Sequence, residues 1–262
     1  MFIKTKKSLG QNFLIDQNVL EKIVNTVVIN NKEVLEIGPG SGNLTIHILK
    51  KKPKKFYVIE KDDDLSLLLS KKFNNEITII NDDVLKINEN KISKNKLTVF
   101  GNIPYNISTE ILSKWITNLD KEFWFDGLVL MFQKEVADRI IAKHNTSNYG
   151  RLSILSNWKL NIKKIMDIKP ESFSPRPKID SSLLFFTPKK NFFELKSAKN
   201  LEIFTRIFFS QRRKMLKKPF NQIFKNAKEV AEKFDIDLNL RPQNLSPEIY
   251  FKLISEYENL SS

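Results

Sequence analysis

An α/β architecture with a smaller all-α region at its C-terminal end is what this sequence predicts, and three observations predict it. Short apolar runs alternate with helical patterns between Glu33 and Phe100, the signature of βαβ units and a parallel sheet. A glycine-rich turn, Gly38-Pro39-Gly40-Ser41-Gly42, separates the first such run from the first such helix. Beyond Thr187 the strand signals stop and helical periodicity takes over. The 262 residues are enough for one large domain with a smaller appendage and a real core. The expected division is residues 1–188 and 189–262.

In chain order, the basic segment Lys6-Lys7-Ser8-Leu9 is broken at Gly10 and leads to Gln11-Asn12-Phe13-Leu14. Asp16 is a good N-cap for a helix carrying Val19, Leu20, Ile23, Val24 and Val27 on one face. From the residues alone, Gln11 and Asn12 beside the anchor Phe13-Leu14 read as an N-terminal cap on the fold. Next come a strand, Glu33 to Ile37, the glycine turn, and a helix with Leu44, Ile46, Ile48 and Leu49. Glycines permit positive φ and let a ligand lie against the backbone. The spacing is G-x-G-x-G, not the dinucleotide G-x-G-x-x-G, and alone it is a weak signal.

Glu60 strengthens it. That residue ends the strand Phe56 to Ile59, where an acidic side chain meets ribose hydroxyls. A third strand, Ile77 to Ile80, runs into Asn81-Asp82-Asp83-Val84 and sets Asp83 at the next strand end, able to accept from an adenine amino group. Either carboxylate could be a solvated strand end, but successive strand ends each carry a suitable group.

The stretch Gly101-Asn102-Ile103-Pro104-Tyr105-Asn106 follows the apolar strand Leu97 to Phe100 and precedes a helical pattern from Ser108 onward. Proline fixes φ and lacks an N–H, so the chain forms a rigid lip at a strand's carboxyl end. The lip offers an amide, backbone carbonyls and an aromatic ring, the groups that grip a flat base with an exocyclic amine. Nothing suits a pyrophosphate, and no P-loop lysine is present. The implied cofactor is an adenosine without phosphates, and S-adenosylmethionine fits, its methyl group directed at the lip.

Ser182 to Phe186 reads as a strand, Pro188-Lys189-Lys190-Asn191 as a linker, and Leu201 to Lys217 as a helix with Phe204, Ile207, Phe208 and Met215 on its apolar face. Ser246-Pro247-Glu248 starts a last helix, Ile249 to Tyr257. From Arg206 to Lys228 there are eight basic residues and no acidic one. A solvated helical face is the plain alternative; a contact surface for RNA phosphates explains the one-sidedness better.

Composition narrows the chemistry. Formal net charge is +14, which points to a polyanionic partner. Only seven of the 44 basic residues are arginine, so part of the excess reflects lysine-rich coding. There is no cysteine and only His47 and His144, which excludes thiolate chemistry and disfavours a metal site. No apolar run approaches membrane-spanning length and Met1 to Gly10 lacks an apolar core. The expectation is a soluble cytoplasmic monomer without metal or membrane partner.

Four motifs carry a resemblance: Lys7-Ser-Leu-Gly-Gln-Asn-Phe-Leu14, Glu36-Ile-Gly-Pro-Gly-Ser-Gly-Asn-Leu-Thr45, Gly101-Asn-Ile-Pro-Tyr-Asn-Ile-Ser108 and Phe173-Ser-Pro-Arg-Pro-Lys-Ile-Asp-Ser181. With them, Gln133-Lys-Glu-Val136, Tyr149-Gly-Arg-Leu-Ser153, Phe209-Ser-Gln-Arg-Arg-Lys214 and Arg241-Pro-Gln-Asn-Leu-Ser246 make the whole chain similar to the ribosomal RNA adenine N6-dimethyltransferases, small-subunit branch. Ile103 stands where leucine is common.

The resemblance implies a Rossmann-like, S-adenosylmethionine-dependent methyltransferase sheet. It implies a cofactor site of Gln11, Asn12, Leu14, Gly38, Gly40, Glu60, Lys61, Asp83, Val84 and Asn102. It implies a catalytic lip of Asn102, Ile103, Pro104 and Tyr105, with Tyr105 and Phe173 on the two faces of the target adenine. It makes the helical region an RNA- and ribosome-binding domain, with Arg151, Arg212, Arg213, Lys214, Lys217 and Lys218 as contacts. The expected reaction is dimethylation of two adjacent adenines near the 3′ end of small-subunit rRNA, with a role in subunit assembly. The alternatives are a large-subunit adenine methyltransferase of the macrolide-resistance type and a non-catalytic nucleic-acid-binding assembly or transcription factor.

Overall fold

The computed structural model describes residues 11–119 and 122–260; the expectations on Lys6 to Gly10 lie outside them. The chain forms two compact units. The first ends at Pro188, and the second takes Lys189 onward together with Asp138–Leu160 and the short Ile116–Asn118. Asp138–Leu160 was expected within 1–188; it joins the second unit because the helix Arg151–Lys159 packs on the helices Ala198–Phe209 and Pro247–Leu260.

The first unit opens with β1 (Phe13–Leu14) and α1 (Gln17–Val24), followed by β2 (Glu33–Ile37), α2 (Asn43–Lys50), β3 (Lys55–Ile59), α3 (Asp63–Phe73) and β4 (Thr78–Ile80). Then come β5 (Leu97–Gly101), α4 (Tyr105–Thr117), β6 (Phe125–Gln133) and α5 (Lys134–Ile140). After α6 (Arg151–Lys159) the chain returns as β7 (Leu160–Ile168), β8 (Phe173–Ser174) and β9 (Ser181–Pro188). Asp16 caps α1 as expected, its Oδ1 accepting from the backbone N–H of Asn18 and Val19 at 3.0 and 3.2 Å.

Among the described residues, seven strands form one sheet in the order β4-β3-β2-β5-β6-β9-β7, and β1 pairs with β8 in a separate two-stranded ladder. The pairs β2–β3, β3–β4, β2–β5 and β5–β6 are parallel, and β6–β9 is antiparallel. β2 and β5 are buried at every position, as a parallel sheet covered on both faces requires. The direction of winding reverses between β2 and β5, whose last residues, Ile37 and Gly101, are partners in register. Ligands bind open α/β sheets in the crevice outside the carboxyl ends at such a reversal.

The second unit holds α6, α7 (Ala198–Phe209), α8 (Lys217–Ile223), α9 (Ala227–Lys233) and α10 (Pro247–Leu260). Its core is aromatic: Phe204 stacks on Phe208, and Phe208 meets Phe220 and Tyr250 edge-on. The expected single helix from Leu201 to Lys217 is two helices. Leu216 is fully buried, and its N–H donates to Leu240 O while that of Lys217 donates to Leu238 O. Those tertiary bonds take the backbone out of the helix after Phe209. Met215, assigned to the apolar face, is accordingly 56% exposed, and Arg212 to Lys214 lie in a turn.

Candidate active site

The loops after β2, β3, β4 and β5 line one cleft in the first unit, closed on one side by the Gln11–Leu14 segment. With its open mouth counted it holds about 1230 Å³. The glycine turn forms its floor: Gly38, Gly40 and Gly42 all have positive φ. At Gly40 a Cβ would lie 2.7 Å from the Phe13 ring, so the floor tolerates no side chain there.

Glu60 is 7% exposed. Its Oε2 accepts from Gly40 N–H at 3.1 Å and its Oε1 from Asp62 N–H at 2.9 Å. Burial raises its pKa above the usual carboxylate range, against those backbone donors. The carboxylate, with two oxygens and about four lone pairs, retains accepting capacity for a ligand hydroxyl. Asp83 is half-buried, its Oδ2 accepting from Lys61 Nζ at 2.8 Å and its Oδ1 from Leu85 N–H at 3.0 Å. The bond from Lys61 holds its pKa below the ordinary value. The strand ends thus hold two carboxylates of different character, one desolvated and one ion-paired.

At the lip, Asn102 Nδ2 donates to Asn12 O at 3.0 Å, so the amide oxygen is the atom that can accept from a base. Gly38 sits directly opposite, where a Cβ would come within 3.8 Å of Asn102 O. Ile103 is buried. Pro104 O accepts from Ile107 N–H at 3.1 Å, which leaves the Ile103 carbonyl as the acceptor of that pair to offer a ligand. The helix begins at Tyr105, not Ser108, so the ring that lines the cleft stands on the first residue of α4.

All the expected cofactor residues and the lip line this cleft; Phe173 does not. It is 3% exposed and packs in the apolar core of the first unit. It lies in β8, paired in register with Leu14 of β1, and Leu14 does line the cleft.

Three residues were not singled out from sequence. Glu36 lines the cleft, is 1% exposed, and accepts from Thr45 Oγ1 at 2.7 Å; burial pushes its pKa up to about 8. A carboxylate inside an apolar strand was the available signal. Asp62 caps α3 and accepts from Gln11 Nε2 at 3.1 Å; an aspartate ahead of a helix signals a cap, not this second bond. Ser181 accepts or donates to the Tyr105 hydroxyl, a contact across 76 residues that no local pattern reports. Among the described residues no group of three or more acidic or histidine side chains could hold a metal ion. Nor is any of their helices long and apolar enough to cross a membrane.

In the second unit, Arg213, Lys214, Lys217 and Lys218 line a shallow groove together with Arg241, which sequence reading left out of the contact set. Arg151 and Arg212 are not part of it. Arg151 is exposed at the first position of α6. The Arg212 guanidinium donates to Ser147 O and lies 3.5 Å from Tyr149 O and 3.4 Å from Gln243 Oε1.

A family model described as ribosomal RNA adenine dimethylase matches residues 2–259. The chain is 77% identical over 260 residues to the ribosomal RNA small subunit methyltransferase A of Pelagibacter ubique (strain HTCC1062), covering 99% of each. Among solved structures, it is similar to a dimethyladenosine transferase from Plasmodium falciparum, at 28% identity and a TM-score of 0.81, covering 95% of this chain and 98% of that one. The 23S rRNA methyltransferase ErmE shares the fold at 19% identity, with a TM-score of 0.68 over 94% of this chain and 99% of that one.

Proposed function

The chain belongs to the ribosomal RNA adenine dimethylase family, and on that premise we propose that it dimethylates N6 of two adjacent adenines near the 3′ end of small-subunit rRNA, using S-adenosylmethionine. The observation that carries the reading is the fixed amide of Asn102, at the carboxyl end of β5, in the same cleft as Glu60 and Asp83. The cleft suits an adenosine-bearing cofactor. Glu60 has lone pairs for ribose hydroxyls, Asp83 accepts from an amino group, and the glycine floor admits close approach. Gln11, Asn12, Leu14, Lys61 and Val84 complete that wall.

When bound, the cofactor supplies an electrophilic methyl group on a sulfonium. The protein's own part is to present the nucleophile. Adenine N6 is weak because its lone pair is delocalised into the ring. Asn102 Oδ1 and the Ile103 carbonyl, accepting its N–H bonds, turn that lone pair out of conjugation and toward the cofactor. Tyr105 stacks on the base, a contact of about 1–3 kcal/mol. Position and electrostatics suffice, without a strong side-chain base. The target must leave its own stack to enter.

Phe173 serves as the second face only if its ring leaves the core, and its pairing with Leu14 ties such a movement to the cofactor wall. The second unit acts as the RNA- and ribosome-binding domain, with the groove of Arg213, Lys214, Lys217, Lys218 and Arg241 as its phosphate contact. One chain supplies every wall of the cleft, in keeping with a monomer working in the cytoplasm on immature small subunits. The test is transfer of labelled methyl to purified immature small subunits and, separately, to large-subunit rRNA. The expected result is label in small-subunit rRNA alone, recovered as N6,N6-dimethyladenine. Label confined to large-subunit rRNA would favour the macrolide-resistance type, and none in either would leave a non-catalytic binder.

A further inference from the structure

Ser181 closes the motif that begins at Phe173, and the proposed chemistry gives it no role. It is the first residue of β9, fully buried. Register fixes it opposite Gln133, the last residue of β6, and Lys134 N–H closes the ladder on Asp180 O at 2.9 Å. The antiparallel return of β9 therefore delivers a hydroxyl to the carboxyl edge of the sheet, with only β6 between it and β5, the strand that carries the lip. That hydroxyl is hydrogen-bonded to the hydroxyl of Tyr105.

Tyr105 is thus held at both ends. Its backbone starts α4, where its carbonyl accepts from Ser108 Oγ at 3.1 Å. Its para position is tied to the hydroxyl of a buried serine whose backbone is held in the β6–β9 ladder. Between the two anchors the ring lines the cleft. A platform for an incoming base works best when its own plane is already fixed, because less rotamer freedom is lost on stacking.

We propose that Ser181 is a positioning residue for methyl transfer: its bond to the Tyr105 hydroxyl fixes the ring against which the target adenine stacks. The inference rests on the reading of Tyr105 given above. It assigns the tyrosine hydroxyl an anchoring job, distinct from any contact with the base.

The test is a double-mutant cycle on the full-length protein with immature small subunits as substrate. Ser181→Ala and Tyr105→Phe remove the same bond from opposite sides. Each should lower kcat about 5–20-fold, the scale of one hydrogen bond removed. KM for the subunit and affinity for S-adenosylhomocysteine should stay at wild-type values, since neither depends on the tilt of the ring. The double variant should be no slower than the slower single variant, because the two substitutions share one interaction.

Multiplying effects in the double variant would overturn the proposal. So would Ser181→Ala and Tyr105→Phe both running within about twofold of wild type, the spread expected of independent sites. Tyr105→Ala separates this from failure of the underlying reading. If Tyr105→Ala also runs at the wild-type rate, the stacking platform itself is wrong; if it is slow while the other two are not, only the role of Ser181 falls. Should Ser181→Ala not fold, Tyr105→Phe decides alone, and an unchanged kcat overturns the anchor.

Discussion

The cleft of the first unit and the groove of the second are both polar, and they are built in opposite ways. In the cleft the polar groups are few, largely buried and individually held: Glu60 by two backbone N–H groups, Asp83 by Lys61, Asn102 by Asn12 O. In the groove five cations stand together on the surface, all exposed. Buried, oriented dipoles discriminate between ligands, because a mismatched partner leaves them unsatisfied. Exposed cations act through counterion release, which is strong, sequence-independent and salt-sensitive. Under the proposed function, selectivity for the methyl donor and the base falls to the cleft, and grip on a polyanion to the groove.

That contrast can be broken at either end, and the cleft should respond more strongly. Glu60→Ala removes an acceptor already positioned by Gly40 and Asp62. It should weaken cofactor binding by about 1–3 kcal/mol in calorimetry, with subunit affinity unchanged. Equal cofactor affinity would remove Glu60 from the site.

On the groove side, replacing Arg213 and Lys214 by alanine should lower the log–log salt slope of subunit binding by about 0.7–0.9 for each phosphate no longer neutralised. Arg212→Ala should behave differently. Its guanidinium bonds Ser147 O within its own unit, so the melting temperature should fall while the salt slope holds. A parallel drop in slope for Arg212→Ala would put all three cations on the RNA.

A further test at the cleft wall is a pH dependence of stability. Glu36 has a pKa raised to about 8 from 4.5 by burial, so the folded state holds a proton that the unfolded chain releases. Stability from this group is complete below pH 4.5 and declines as pH rises toward 8. Glu36→Gln, which cannot titrate, should flatten that part of the stability profile in denaturant titrations. An unchanged slope would mean that Glu36 ionises normally.

Much of this was legible in the sequence, for reasons that differ by region. The strands around the cleft announce themselves because each is a short apolar run ended by a residue that apolar packing cannot explain: Gly38, Glu60, Asp83 and Asn102. The helix cap at Asp16 is equally local. What escaped depends on partners distant in sequence. The break after Phe209 is set by Leu238 and Leu240, more than 20 residues later, so periodicity alone ran the helix through to Lys217. Arg212 and Arg213 are adjacent, exposed and chemically alike, yet only the fold sets one against Ser147 O and the other in the groove. The resemblance made Phe173 a base platform, whereas in the fold it pairs with Leu14 and its ring is buried in the core.

If the cleft carries the methylation of adenine, rRNA from cells records it. Cells lacking the gene would be complemented with the wild-type chain or with Asn102→Ala, and N6,N6-dimethyladenine mapped along the small-subunit rRNA. Two adjacent modified adenines near the 3′ end are expected with the wild-type chain, and their loss or steep reduction with Asn102→Ala at equal protein levels. Full modification by Asn102→Ala, or none by the wild-type chain, would contradict that role of the cleft.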